Sequence, residues 1–508
     1  MGIFGTDGIR GICHLGILDD PLGSFQEERL FSEQLCGEIA YCASEVADQG
    51  GVVIGWDRRP YNEKIAEHVI GCLKQTGRSI SVLGETTTPA LQFMMLEKDA
   101  ALGLMITASH NPAEDTGVKV LFENGRKPTM AEQILIERHM FSPKKGTKAQ
   151  SKIESLSHAQ YTSSVSDAFG ELAAQGILSQ GEILVDGSGG WLSTWLAELI
   201  TSAGATCREV SKREEPINFH CGAGDLTEGW LSWGDCETSE HSLLKAVEPA
   251  PRGKILGFCF DGDGDRCYLI CSDGAGVQIV GGDGFLRLFS SNCYDADDFV
   301  VALTIESALD VSRIYRSMDN GELIETGVGD RWLQHALIEK KSELKVGAEP
   351  SGHVILEQIC GSKTGLWGDG VRTMIEYLRL IHRSGPEWMD SIINNLSTTI
   401  TKSIYPSNRE LWDPSNDLAV LVENWISESL GIKARELNRI EIQEEDSLLL
   451  LNANNGYDWS ISIRNSGTEP KTRVTIRTTD TGSETANDLM SRIIIGLEPK
   501  LKVGLTSS

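Results

Sequence analysis

The sequence predicts a multidomain α/β protein: three similar α/β units in succession, then a separate α+β lid domain. Three observations lead there. A chain of 508 residues is too long for one hydrophobic core and divides into three or four domains. From residue 1 to about 385, short apolar runs alternate with stretches of helical spacing, the pattern of βαβ units. From about 386 onward strands cluster ahead of one last helix.

The first unit, 1–155, has an expected helix over 28–48, where Leu35, Ile39 and Val46 share a face. A strand over 51–55 leads through 56–60 into a helix ending near Gln75, and 79–83 is the next strand. A loop with Pro89 precedes the apolar strand 102–106, and the lysine-rich stretch 142–152 reads as a solvated linker. The second unit, 156–258, carries a strand at 183–185, a glycine-rich turn at 186–190 and a helix over 191–202. That turn lacks the lysine of a P-loop and the spacing of a dinucleotide fingerprint, so it reads as structural. The third unit, 259–385, starts at an acidic loop and continues with a strand at 299–304, a helix over 332–339 and a strand at 354–356. The last, 386–508, places strands at 447–451, 459–464 and 473–478 before a helix over 484–497.

Composition narrows the function. With 40% apolar and 23% charged residues the chain is an ordinary globular protein. It has no run of eighteen apolar residues and no basic-then-apolar leader, which points to the cytoplasm and away from a membrane. The formal charge of −27 repels nucleic acid and anionic lipid alike. Twelve cysteines without CxxC pairs or zinc-spaced histidines fit buried thiols in a reducing compartment.

Two stretches carry chemistry. The apolar strand 102–106 breaks at Thr107-Ala108-Ser109-His110-Asn111-Pro112, a turn closed by proline. Strand ends face the crevice of an α/β sheet, so Ser109 is well placed as a nucleophile if something activates it. Downstream, the apolar run 255–259 enters Phe260-Asp261-Gly262-Asp263-Gly264-Asp265-Arg266. Three carboxylates two residues apart converge on one hard cation, Mg²⁺ or Ca²⁺, with glycines letting the backbone wrap it. An EF-hand is excluded, because its sixth and twelfth positions are Arg266 and Ser272 and a strand precedes it.

TASHNP around Ser109 and DGDGDR together resemble the α-D-phosphohexomutase superfamily. Its remaining motifs follow in order: FGTDGIRG at 4–11, GAEPSGH at 347–353 and RNSGTEPKTRV at 464–474. FGTDGIRG, DGDGDR and TGVGDRWL at 326–333 resemble the phosphoglucosamine branch in particular. The match to the first motif displaces a myristoylation reading of 1–6.

The resemblance implies three similar mixed-sheet α/β domains and a C-terminal α+β lid around a central cleft. It implies a phosphoserine at Ser109, with one Mg²⁺ per chain held by Ser109, Asp261, Asp263 and Asp265. Arg10 and Arg266 would assist transfer, and Lys119 and His353 match positions that handle the sugar's hydroxyl proton. Glu349 and Ser351 would read sugar hydroxyls. Arg464, Asn465, Ser466, Gly467 and Thr468 would clamp the phosphate that is not transferred, with Arg331 and Arg473 as further substrate contacts. These basic residues would offset the acidic surface for an anionic substrate.

The implied reaction interconverts a hexose 6-phosphate and 1-phosphate in a monomer or homodimer, primed by a sugar 1,6-bisphosphate. Glucosamine phosphate leads, with phosphomannose or phosphoglucose as the alternative. A serine- and metal-dependent sugar phosphohydrolase is the rival of another class, and a silent sugar-phosphate sensor a third. Two departures stand out. Asn465 replaces the branch's usual proline, and GAEPSGH replaces its common GEQSGH, so that Pro350 lacks the amide glutamine would present.

Overall fold

The chain builds four sheets, described by a computed structural model through residues 3–5, 7–140, 150–178, 181–393, 396–442, 445–466, 470–482 and 484–503. Most of the expected linker at 142–152 lies outside these residues. The seven-stranded first sheet runs Leu30–Ser32, Ile9–His14, Asp115–Phe122, Ala100–Ile106, Gly51–Trp56, Ile80–Glu85, Ile153–Ser155. The second, of six strands, runs Gly229–Ser232, Gly276–Val280, Cys267–Ser272, Ile255–Phe260, Ile183–Asp186, Cys207–Glu209. The third, of five, runs Gly321–Thr326, Phe299–Thr304, Leu344–Ala348, Val354–Cys360, Lys363–Gly368.

These three sheets share a plan. In each, one strand lies parallel to its neighbour on one side and antiparallel to its own successor on the other. Ala100–Ile106 does so between Gly51–Trp56 and Asp115–Phe122. Ile255–Phe260 does so between Ile183–Asp186 and Cys267–Ser272, and Leu344–Ala348 between Phe299–Thr304 and Val354–Cys360. Every residue of Ala100–Ile106 and Ile255–Phe260 is buried, hence their continuous apolar sequence. The loop leaving the shared strand is the serine loop in the first sheet, the acidic loop in the second and GAEPSGH in the third.

Three expectations are corrected. A boundary at 258/259 cuts the second sheet, because Ile255–Phe260, Cys267–Ser272 and Gly276–Val280 all hydrogen-bond within it. The acidic loop is a hairpin connection, and helix Gly282–Asp295 is what leads to the third sheet. The helix expected over 28–48 is interrupted. Pro21–Glu28 ends on Arg29 in the left-handed region, Leu30–Ser32 forms an edge strand, and Ser32 Oγ caps Glu33–Val46 by accepting the Leu35 N–H at 3.2 Å. The helix expected over 191–202 breaks at Trp195 into a 3₁₀ turn, Trp191–Thr194, and Leu196–Ser202.

The first three units share one apolar cluster that includes Phe93, Tyr161, Phe258, Phe285 and Tyr377. Helix Gly370–Ser384, after the third sheet, returns to the second, where the Tyr377 hydroxyl donates to the Gly281 carbonyl at 2.7 Å. The C-terminal unit has its own core around Trp459, Ile461, Val474 and Leu489. Its antiparallel sheet, Thr398–Ile404, Thr472–Thr478, Asp458–Asn465, Leu449–Asn454, Asn438–Ile440, packs under helices Asp417–Leu430 and Thr485–Leu501. All twelve cysteines are free thiols. Among the described residues no helix is long and apolar enough to cross a membrane.

The glycine-rich turn after Ile183–Asp186 braces the strand that enters the acidic loop. Ser188 Oγ donates to the Phe260 carbonyl at 2.6 Å, and Glu209 accepts the Gly187 N–H at 3.1 Å and the Ser211 N–H at 2.9 Å. Burial pushes the Glu209 carboxyl up to about 7, against the pull of the Ser211 hydroxyl. The folded state therefore holds a proton that the unfolded chain releases at lower pH. The stabilisation from this group is complete in acid and lost as pH rises through about 7. Glu209→Gln should flatten the pH dependence of the urea midpoint between about pH 5 and 7, measured side by side with the parent chain.

Candidate active site

The three hairpin loops meet. Ser109 is fully buried and sits at φ 50°, a left-handed conformation uncommon for a residue with a side chain. Its surroundings over-determine that conformation. The Arg59 guanidinium donates to the carbonyls of Ser109 (2.7 Å), Asn111 (2.8 Å), Asp115 (3.0 Å) and Pro112. Arg59 is held by an ion pair with buried Asp57 at 3.0 Å. Asn218, from the second unit, donates to the same Ser109 and Asn111 carbonyls, and Thr107 Oγ1 accepts the Ser109 N–H at 2.8 Å. Arg10 Nη2 then donates to Ser109 Oγ at 3.0 Å.

The acidic loop lies against this turn. A Cβ on Gly262 would stand 2.9 Å from the Ser109 carbonyl oxygen, so only glycine allows the two loops to approach this closely. Asp261, Asp263 and Asp265 are buried, with one carboxylate oxygen from each within 4.8 Å of the others. Thr88, at the start of helix Thr88–Lys98, donates through its hydroxyl to Asp263, and the Asp265 N–H donates to Asp261 Oδ1 at 3.1 Å. Asp261 Oδ2 and Asp263 Oδ1 remain buried without hydrogen-bond partners. Burial, with Asp265 and Asp263 beside it, drives the Asp261 carboxyl well above the usual range. Orphaned oxygens, an all-oxygen donor set and carboxylates crowded against one another fit a hard divalent cation.

Lys119 projects from Asp115–Phe122, opposite Met105, into the same space. Its ammonium pairs with Asp265 (2.5 Å), Asp263 (2.7 Å) and Asp7 (2.9 Å). Burial alone would lower its pKa, but those three carboxylates raise it well above the ordinary value. Asp7 in turn pairs with Arg10 at 2.5 Å and with Lys127, and Lys127 with Asp330 at 2.5 Å. His353 closes the circuit, with Nε2 3.2 Å from Asp330 and Nδ1 3.5 Å from Asp265. Burial opposes its charge, yet Asp330 and Asp265 lift it to about 9. The result is a ring of alternating sign: Asp7, Lys119, Asp265, His353, Asp330, Lys127. Next to Ser109, His110 is pushed down to about 2 by Arg266, then by burial and Arg10, so it stays neutral.

The other expected residues occupy a wider arc. Arg266 Nε stands 3.8 Å from Asp261 Oδ2, and its backbone bridges His353. Glu349 is tied down, accepting the Gly329 N–H from the start of helix Asp330–Ile338 at 2.8 Å and the Ser351 hydroxyl of its own loop at 3.1 Å. Arg331 is buried on helix Asp330–Ile338 and stacks 4.2 Å from the Trp332 ring. Arg464 and Arg473 face each other across paired strands, and both reach Glu306 of the third unit, at 3.1 Å.

Asn465 serves as a brace. Its amide donates to the Arg409 carbonyl at 2.9 Å and its oxygen accepts from Thr472 at 2.9 Å. The Ser466 N–H donates to the Lys471 carbonyl at 2.8 Å. Gly467 and Thr468 lie outside the described residues.

Sequence reasoning missed Asp7, Arg59, Lys127, Glu306 and Asp330. Asp7 and Asp330 lie inside motifs already singled out, FGTDGIRG and TGVGDRWL, and a search there for counter-charges would have found them. Lys127, Arg59 and Glu306 belong to no such motif. A second cluster with metal-ligand side chains, Asp186, His241 and Cys259, is buried but satisfied internally. His241 Nδ1 accepts the Leu243 N–H at 3.3 Å, which leaves Nε2 as the donor to the Gly222 carbonyl at 3.1 Å and no lone pair for an ion.

Comparison with known proteins meets this geometry. Residues 1–147 match the sequence profile of phosphoglucomutase/phosphomannomutase α/β/α domain I, and residues 282–399 that of domain III. A phosphoglucosamine mutase of Prochlorococcus marinus (strain MIT 9303) is 29% identical over 493 residues, covering 94% of this chain and 92% of that one. One from Ligilactobacillus salivarius (strain UCC118) is 26% identical over 397 residues, covering 76% and 79%. Among solved structures, a phosphoglucomutase/phosphomannomutase family protein of Burkholderia thailandensis superposes with a TM-score of 0.68 at 18% identity, covering 99% and 98%. Aspergillus fumigatus N-acetylphosphoglucosamine mutase, in complex with GlcNAc-6P and magnesium, gives 0.58 at 15%, covering 98% and 96%.

Arg59 gives the sharpest test of the serine loop. Lysine keeps the charge but cannot span four carbonyls, so Arg59→Lys should lower kcat by roughly 10²-fold while leaving KM and the far-UV circular dichroism nearly unchanged.

Proposed function

Because the chain belongs to the phosphoglucomutase/phosphomannomutase family of α-D-phosphohexomutases, we propose that it interconverts glucosamine 6-phosphate and glucosamine 1-phosphate through a phosphorylated Ser109. The amino sugar follows from the phosphoglucosamine mutases that match nearly the whole chain. The reading rests on one juxtaposition: a buried serine hydroxyl, an arginine donating to it and three converging carboxylates within one ring of compensated charge.

In the first half-reaction the Ser109 O–P bond breaks as a P–O bond forms to the free hydroxyl of the bound sugar monophosphate. The hydroxyl's proton passes to a nearby base; Lys119 and His353 are the candidates, and either takes that role only after releasing the proton its carboxylate partners hold on it. Arg10 stabilises the departing Ser109 oxygen through the hydrogen bond it already makes. A Mg²⁺ held by Asp261, Asp263, Asp265 and the serine phosphate supplies charge neutralisation when bound. The second half is the reverse, with the other phosphate of the bisphosphate returning to Ser109 after the sugar turns end for end. Arg464 and Arg473 hold whichever phosphate is idle, and Glu349 with Ser351 meets the sugar hydroxyls. A free sugar 1,6-bisphosphate would recharge any serine that has lost its phosphate.

Pro350 in the sugar loop favours a second reading, mannose or glucose phosphate, because it removes a side-chain amide where the phosphoglucosamine branch has one. Intact-mass analysis should find one phosphate on the parent chain and none on Ser109→Ala, whose kcat should fall by at least ~10³-fold. In a substrate panel, kcat/KM for glucosamine 6-phosphate should exceed that for mannose and glucose 1-phosphates by roughly tenfold or more. The reverse order would move the assignment to the second reading, and steady release of inorganic phosphate would replace the mutase with a hydrolase.

A further inference from the structure

We infer that Glu306 is a built-in stand-in for phosphate: its carboxylate occupies the guanidinium groups of Arg464 and Arg473, and a phosphosugar binds there by displacing it. The inference rests on the reading of these arginines as the clamp for the idle phosphate.

Glu306 sits in a tight turn after Phe299–Thr304, where the Ser307 N–H donates to the Thr304 carbonyl at 2.9 Å. Its Oε1 accepts from Arg464 Nη2 at 3.1 Å and from Arg473 Nη1 at 3.2 Å, and its Oε2 from the same Arg473 nitrogen at 3.1 Å. One carboxylate thus bridges two cations that neighbour each other across a strand pair. Nε of Arg464 and Nε of Arg473 are both buried without a hydrogen-bond partner. Two guanidinium groups with donors to spare, gathered on a compact anion, match a phosphate, which offers more acceptor oxygens than a carboxylate. Burial opposes ionisation of Glu306, yet the two arginines hold its carboxyl below the usual range, so the stand-in is charged at neutral pH.

The contact is not needed to dock the C-terminal unit. Arg477 Nη1 donates to the Ser307 carbonyl at 2.8 Å, and Ile305 packs with Leu448 and Leu450 across the same seam. Glu306 can therefore leave the arginines while its turn stays in place. An internal anion has a use in a reaction whose intermediate must let go and turn. When the phosphate departs, the arginines exchange one anion for another and are not left as bare buried charges.

The test uses the full chain and two variants at the clamp. Glu306→Gln keeps the size and removes the charge. It should lower KM for the phosphosugar, and Ki for inorganic phosphate as a competitive probe, at least roughly threefold. It should also enlarge the rise in Tm that inorganic phosphate produces, a readout independent of turnover. Glu306→Asp, with its charge drawn back, should shift all three the same way by less. Arg464→Gln should raise KM and Ki and shrink the Tm effect. If Glu306→Gln leaves KM and Ki unchanged or raises them while Arg464→Gln behaves as stated, Glu306 is a fixed support for the arginines and the inference is overturned. If Arg464→Gln changes none of the three, the clamp reading itself fails and takes the inference with it.

Discussion

Three carboxylates confined within 4.8 Å of one another and shut away from water impose the constraint to which the surrounding structure answers. Burying charge is costly unless it is matched nearby, and removing one partner of a buried pair leaves the other uncompensated. The match comes from Lys119, from His353 beside Asp265 and, through Asp7, from Lys127. The members belong to three different sheets, so the same ion pairs that balance the acidic loop also set how the first three units sit together. Charge matching and assembly are one problem with one solution.

That solution reuses a single topological device. Three times the chain runs a strand parallel to an earlier one, leaves its end in a functional loop and returns antiparallel. The first loop presents a hydroxyl, the second a set of carboxylates, the third a glutamate, a serine and a histidine. The exit of the earlier parallel strand is specialised as well. After Gly51–Trp56 it supplies Asp57 and Arg59, which pin the serine loop. After Ile183–Asp186 it supplies Ser188, which pins Phe260. After Phe299–Thr304 it supplies Glu306, which faces outward to the fourth unit instead.

What could be read in the sequence follows from this plan. Strands buried on both faces are apolar without interruption, and the polar turns that follow them break the pattern sharply. The serine and acidic loops were therefore legible, and their order along the chain with the other motifs named a family. The division at 258/259 fails because the acidic motif marks a loop inside a sheet and not the start of a unit, and Cys267–Ser272 continues the sheet just left. The helix over 28–48 failed because its apolar spacing runs on through Leu30 and Phe31, although a left-handed Arg29 and a capping Ser32 break the backbone there. Lys127, Arg59 and Glu306 were silent for a different reason: each is defined by a partner far away in sequence, and no local periodicity marks it.

The four carbonyls gathered by Arg59 have a consequence for how order is distributed over time. On the proposed reading of Ser109, a hydroxyl anchored through its own main chain cannot reach toward a substrate, so the swivelling falls to the sugar. The loop's freedom is surrendered when the polypeptide folds, once per molecule, and need not be surrendered again at each catalytic cycle.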